Sequence, residues 1–171
     1  MNQIVKYIIS FFLIALFQVL ILKRIDINFN RFQYFHLMIY PLFLLILPVR
    51  TPKSLMVVIG FFLGLFIDAF YDSPGVHACA ATFTAFIRSY VLKIVEPTEG
   101  YNTTAVPSIR AFTIGGFFIY ASILLLVHLF IYFSLEAFSF IYIGEILLRT
   151  IFSFIVSIIL LMLVQLIFSR K

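Results

Sequence analysis

Asp68, His77 and Arg88 lie in residues 60–88, a stretch that is otherwise built of phenylalanine, leucine, isoleucine and alanine. An Asp or Arg at the centre of a membrane helix costs roughly 2.5 to 3.5 kcal/mol on insertion scales, so such a group normally faces protein or trapped water. These three must serve packing, partner binding or transport. Gly60, Gly64 and Asp68 recur every four residues, which puts them on one helical stripe where a second backbone approaches closely and one carboxylate points at the neighbour. His77, Ala81, Thr84 or Ala85 and Arg88 form a matching face on the following segment. Two readings of Asp68 stand open: a residue near the interface that caps or hydrates its helix end, or a buried acceptor for His77 or a partner chain.

A second polar constellation lies near the C-terminus. Glu145 precedes Arg149 by four residues, the favourable order for an intrahelical ion pair. Ser153, Ser157 and Gln165 continue that face, which reads either as a seam inside a bundle or as a surface for a partner's transmembrane helix. Gln18 and His128 have no spacing partner and are expected to hydrogen-bond internally.

Enzyme signatures are missing. His36, His77 and His128 are too far apart for an H-E-x-x-H zinc helix, and no G-x-S-x-G elbow occurs. Tyr71-Asp72 is similar to the Tyr-Asp of intramembrane aspartyl proteases, but those enzymes place the second aspartate in G-x-G-D on another span, whereas Asp68 shares the span of Asp72. No catalytic residue, cofactor or metal site is expected.

The elements that position these residues follow from composition. The chain is 64% hydrophobic and 11% charged, against about 45 to 50% and about 25% in soluble domains. A crossing needs about 20 apolar residues, so about six transmembrane helices would use most of the 171 residues. The expected fold is all-α, a polytopic membrane helical bundle forming a single integral membrane domain over residues 1–171. The lone Cys79 makes no internal disulfide and no thiolate metal site. The net charge of +5 comes from Lys and Arg at span boundaries, which argues for membrane topology and against nucleic acid.

Apolar runs cover residues 4–22, read as an uncleaved first span, then 32–47, 55–71, 76–95, 109–133 and 141–168. Pro48 and Pro52 close the second run. Asp72-Ser73-Pro74-Gly75 makes a tight turn that folds the third and fourth into an antiparallel hairpin. Residues 96–108 form the one substantial polar loop, and residues 134–140 a short link carrying Glu136. The last run exceeds one perpendicular crossing and is expected to tilt or to begin with an interfacial turn. Lys6, Arg50, Lys53, Lys93, Arg110, Arg170 and Lys171 fall on one side, which predicts both termini in the cytoplasm; Lys23, Arg24 and Arg31 on the other side are the exception.

The order Gly60-Phe-Phe-Leu-Gly64-Leu65-Phe-Ile-Asp68, then Ser73-Pro74-Gly75-Val76-His77-Ala78, resembles the rod-shape-determining MreD family. Leu135-Glu136-Ala137-Phe138 and Leu147-Leu148-Arg149 are similar to its Bacteroidetes-type branch, and the resemblance covers nearly the whole chain. It implies a nonenzymatic component of the cell-elongation machinery in the bacterial inner membrane. Its implied partners are MreC, MreB, RodA and the transpeptidase that works with RodA in peptidoglycan synthesis. It also implies a fold similar to the substrate-binding subunits of energy-coupling-factor vitamin transporters. Gly64, Asp68, His77 and Arg88 carry over as motif positions only. The alternative is a small-molecule-binding subunit of that vitamin-uptake type; such subunits carry Ala-x-x-x-Ala in the first span, and here Ser10 and Ala15 stand five apart.

Overall fold

A computed structural model describes residues 3–25, 35–96 and 106–168. Most of the expected polar loop, and Arg31 in the first link, lie outside the described residues. Among those described there is no strand, and the chain is a helical membrane bundle. Its long helices are α1 (Gln3–Leu20), α3 (Lys53–Tyr71), α4 (Val76–Ile94), α5 (Ile109–Ala137) and α6 (Ile143–Phe168); between the first two, the described residues include a 3-10 turn at Leu22–Arg24 and a short helix α2 (Pro41–Leu45). Four stretches, Val5–Arg24, Lys53–Tyr71, Ile109–Ala137 and Ile143–Ile167, are long and apolar enough to cross a bilayer. α4 carries His77, Thr82, Thr84 and Arg88 and is less apolar, but its 19 residues match α3 residue for residue. At 1.5 Å per residue both reach about 28 Å, close to the thickness of a hydrocarbon core.

α3 and α4 pack antiparallel along their length, α4 packs on α5, α5 on α6, and α1 lies against α3. The turn between α3 and α4 needs left-handed backbone at two places, Asp72 (φ 53°) and Gly75 (φ 85°), and glycine meets that demand without a Cβ penalty. Ser108 opens α5 by accepting a hydrogen bond from Ala111 N at 3.3 Å. A kink follows at Thr113 (φ 64°), whose hydroxyl accepts from Gly116 N at 3.3 Å.

α5 runs four residues further than its apolar stretch, so Glu136 sits on the helix rather than in a link. α6 is preceded by a single 3-10 turn at Phe140–Tyr142. The exceptional Lys23 has a local explanation: it donates to Phe70 O, one of the orphan carbonyls at the α3 C-terminus, and stands 5.2 Å from the Tyr71 ring centre.

The second apolar run departs from the expected helix. Residues 35–39 are irregular, and among the described residues of this run the only helical turns are those of α2. The segment nevertheless passes through the bundle. Leu37 is bonded to Gln18 at the end of α1, which is itself bonded to Tyr71 at the end of α3, whereas Leu47 is bonded to Arg88 near the opposite end of the hairpin. We call residues 35–47 the crossing segment. Pro41 is the physical reason for its break: its ring removes an N–H and excludes the preceding helical turn, so a helix can start there but cannot run through.

Candidate functional site

The hairpin joint is built around two glycines. A Cβ on Gly60 would stand 2.8 Å from Ala81 O and 2.9 Å from Ala85 Cβ, and one on Gly64 would run into His77 O and Ala78 N of the α4 backbone. Only the absence of side chains lets α3 and α4 come this close. That approach delivers Asp68, buried at 5% exposure, to the start of α4. Its Oδ1 accepts from His77 N at 3.0 Å and its Oδ2 from Ala78 N at 2.9 Å. Gly75, the residue at the N-cap position, has no side chain with which to cap, so the preceding helix supplies the cap across the turn. A carboxylate at a helix N-terminus meets both free N–H groups and the positive end of the helix dipole.

Asp68 Oδ1 also lies 2.9 Å from His77 Nδ1 and accepts from the Ser73 hydroxyl at 3.0 Å. Both readings of Asp68 thus meet in one geometry, except that the helix it caps is α4 rather than its own. Ser, His and Asp are adjacent, yet Ser73 Oγ is 2.9 Å from Nδ1, the same nitrogen that faces Asp68. A nucleophile relay needs the hydroxyl on one ring nitrogen and the carboxylate on the other, so this trio is arranged to hold a turn. The His77 ring is enclosed by Tyr132, Tyr71 and Tyr40, with centroids 4.8, 4.9 and 5.7 Å away.

The crossing segment accounts for most other buried polar residues. Irregular backbone at membrane depth has no water to satisfy it and must be bonded by protein. Gln18 of α1 accepts from Ile39 N at 2.8 Å and donates to Leu37 O at 2.8 Å. From α6, Ser153 accepts from His36 N at 3.0 Å, and Ser157 accepts from Met38 N at 3.0 Å while bonding His36 O at 3.3 Å. The α6 polar face is therefore an interior seam at these two serines. Tyr40 Oη lies 2.6 Å from His128 Nε2, whose Nδ1 is 2.9 Å from Thr84 Oγ1. Thr84 donates its own proton to Ala80 O at 2.8 Å, so the consistent arrangement has His128 Nδ1 donating to Thr84 and Tyr40 donating to Nε2.

Arg88, 2% exposed, works at the other end of the segment. Its Nη2 donates to Leu47 O and its Nε to Tyr120 Oη at 2.9 Å, while Tyr120 passes its proton to Leu45 O at 3.1 Å. Arg88 and Tyr120 thereby satisfy the carbonyls released where α2 ends, and the cation faces the negative end of that helix.

Glu145 and Arg149 pair at 2.8 Å, and Glu136 of α5 joins them at 3.5 Å. This trio, with Glu136 exposed and Glu145 and Arg149 half-buried, clamps the C-terminal end of α5 to the start of α6 and lines a cleft of about 250 Å³ with Tyr142. Glu136 carried no helical spacing to Arg149 in the sequence; only the hairpin between α5 and α6 brings them together. No protein-family model, curated protein or solved structure matches the chain.

Proposed function

We propose that this chain is a nonenzymatic scaffold subunit of the cell-elongation machinery in the bacterial inner membrane, with both termini in the cytoplasm and a single-span MreC-like protein as its direct partner. The observation that carries the reading is the α3–α4 joint: Gly60, Gly64, Asp68, the Pro74-Gly75 turn and His77, the residues on which the MreD resemblance rests, form one contiguous contact. A motif whose members hold one another is what a structural role requires of them. MreB, RodA and its transpeptidase follow as indirect partners through the same resemblance.

The vitamin-uptake alternative requires a ligand chamber between the helices. The bundle centre is filled instead by Tyr40, Phe117, Tyr120, Leu44, Leu124 and Leu125, which supports the scaffold. The test is affinity purification of the tagged, full-length protein from native membranes in mild detergent. A co-purifying single-span MreC-like protein is the expected result, and recovery of a pair of ATPase subunits in its place overturns the proposal.

A further inference from the structure

α1 and α3 run parallel and meet in their C-terminal halves, where the Phe66 ring lies 6.2 and 6.0 Å from those of Phe11 and Phe12, Gln18 bonds Tyr71 at 3.0 Å and Lys23 reaches Phe70 O. Towards their first residues the two helices part. The chain between them there is the end of the crossing segment, which is non-helical beyond Ile46 and too slender to fill a space that a helix about 10 to 12 Å across would fill. A groove of about 440 Å³ results, with buried Phe43 and Leu47 as its floor and exposed Ile8, Val58 and Phe62 on its walls. Its few polar groups, Tyr7 and Thr51, lie at the end where α1 and α3 begin, and the Thr51 hydroxyl already donates to Pro48 O at 2.8 Å. That end is basic. Lys6 adjoins Tyr7, Arg50 adjoins Thr51, and Lys53 follows two positions later. All three cations are exposed and none has an ion-pair partner among the described residues; Lys53 Nζ stands 4.2 Å from the Tyr90 ring centre. Among the described residues, Glu96 is the one acid at this end of the bundle.

We infer that the groove is a binding site for an anionic phospholipid, with an acyl chain along the Ile8, Val58 and Phe62 walls and the phosphate against Lys6, Arg50 and Lys53. The two halves of such a lipid match the two halves of the site: hydrocarbon meets a wall of Ile, Val, Leu and Phe, and the headgroup meets uncompensated positive charge where the helices start. Basic pockets between membrane helices hold anionic headgroups in this way. A helix is the poorer occupant, because membrane helices adhere through small residues and shared hydrogen bonds, and the exposed walls offer neither. A second copy packed groove to groove about a two-fold axis brings the same cations against one another. The inference stands apart from the scaffold reading; the proposed topology adds only that the lipid belongs to the cytoplasmic leaflet.

The chain has no tryptophan, so one introduced tryptophan reports from one place. Phe62→Trp puts it in the groove, and Phe118→Trp on α5 is the control; both positions face outward, and each lies nine residues beyond the first of its helix, Lys53 or Ile109. Arg110 at the start of α5 gives the control a cation of its own, so a general attraction of anionic lipid acts on both. Each full-length variant is reconstituted in vesicles of phosphatidylcholine and phosphatidylglycerol with bromine on the acyl chains of one lipid or the other, and quenching gives the relative affinity of the two lipids at that tryptophan. Phe62→Trp should prefer phosphatidylglycerol at least threefold more strongly than Phe118→Trp does. Adding Lys6→Gln, Arg50→Gln and Lys53→Gln should bring Phe62→Trp down to the control value; should that variant not fold, high salt on Phe62→Trp alone gives the same reading by screening the cations. Equal preferences at the two positions, or a preference that loss or screening of the cations leaves unchanged, overturns the assignment. A Phe62→Trp signal that neither brominated lipid quenches shows protein in the groove, a second copy in this preparation, and overturns it too.

Discussion

Replacing Gly64 with alanine adds one methyl group, and its cost follows from where that methyl would go. A Cβ there meets His77 O and the Ala78 backbone, well inside the 3.4 Å at which ordinary contact begins, and backbone cannot swing aside as a side chain tip can. α3 and α4 must move apart. Forced overpacking alone costs about 1 to 3 kcal/mol. The displacement also stretches the hydrogen bonds from His77 N and Ala78 N to the Asp68 carboxylate, now 3.0 and 2.9 Å, and a bond to a charged group contributes about 1.5 to 3 kcal/mol. Gly64→Ala should therefore destabilise by roughly 3 kcal/mol or more, and Gly64→Leu should block assembly. Gly60→Ala meets one backbone oxygen at 2.8 Å and one Cβ at 2.9 Å, so it should cost less, whereas Gly144→Ala meets nothing within 4 Å and should be neutral. Asp68→Asn retains one acceptor oxygen for the two amides and should fall below Gly64→Ala in effect. Equilibrium unfolding of the purified protein in mixed micelles ranks the series. A Gly64→Ala variant within about 0.5 kcal/mol of the parent, the range of a neutral surface change, refutes the close-contact argument.

Two further outcomes are expected. Ser157→Ala and Arg88→Met strip the bonds to Met38 N and Leu47 O respectively, and each should cost about 1 to 3 kcal/mol in the same assay because a buried backbone group loses its partner; a variant as stable as the parent shows that its group finds another. In a Cys79→Ser background, Thr103→Cys should react with an impermeant thiol reagent only after the membrane is opened, and labelling of intact spheroplasts inverts the proposed topology.

What the sequence made legible divides along physical lines. Hydropathy and turn chemistry located the long helices and the Asp72-Ser73-Pro74-Gly75 hairpin to within a few residues, because length, apolarity and a four-residue turn are local properties. The four-residue spacing placed Gly60, Gly64 and Asp68 on the face that meets α4 for the same reason. The crossing segment was not legible as such. Its residues are as apolar as a helix, and apolarity reports burial rather than backbone conformation; Pro41, inside the run, was the available signal. The work of Arg88 and Tyr120 was hidden more deeply, since their acceptors, Leu47 O and Leu45 O respectively, are carbonyls and a carbonyl leaves no mark on a sequence. The α6 polar face split where its pattern gave no hint of a division: Ser153 and Ser157 serve the interior, and Gln165 lines a groove between α1 and α6.

The broken second crossing also sets a schedule. His36 and Met38 find their acceptors on Ser153 and Ser157, 117 and 119 residues later in the chain. At about 5 to 20 residues per second, a ribosome takes roughly 6 to 24 s to make that stretch. Throughout that interval the amides of His36 and Met38 are already synthesised while the helix that accepts from them is not. They must borrow other partners, as a temporary helix, at the wet membrane surface or within the insertion machinery. α6 therefore locks the start of the second segment in place long after that segment is made, and a chain truncated before α6 leaves the amides of His36 and Met38 without these acceptors.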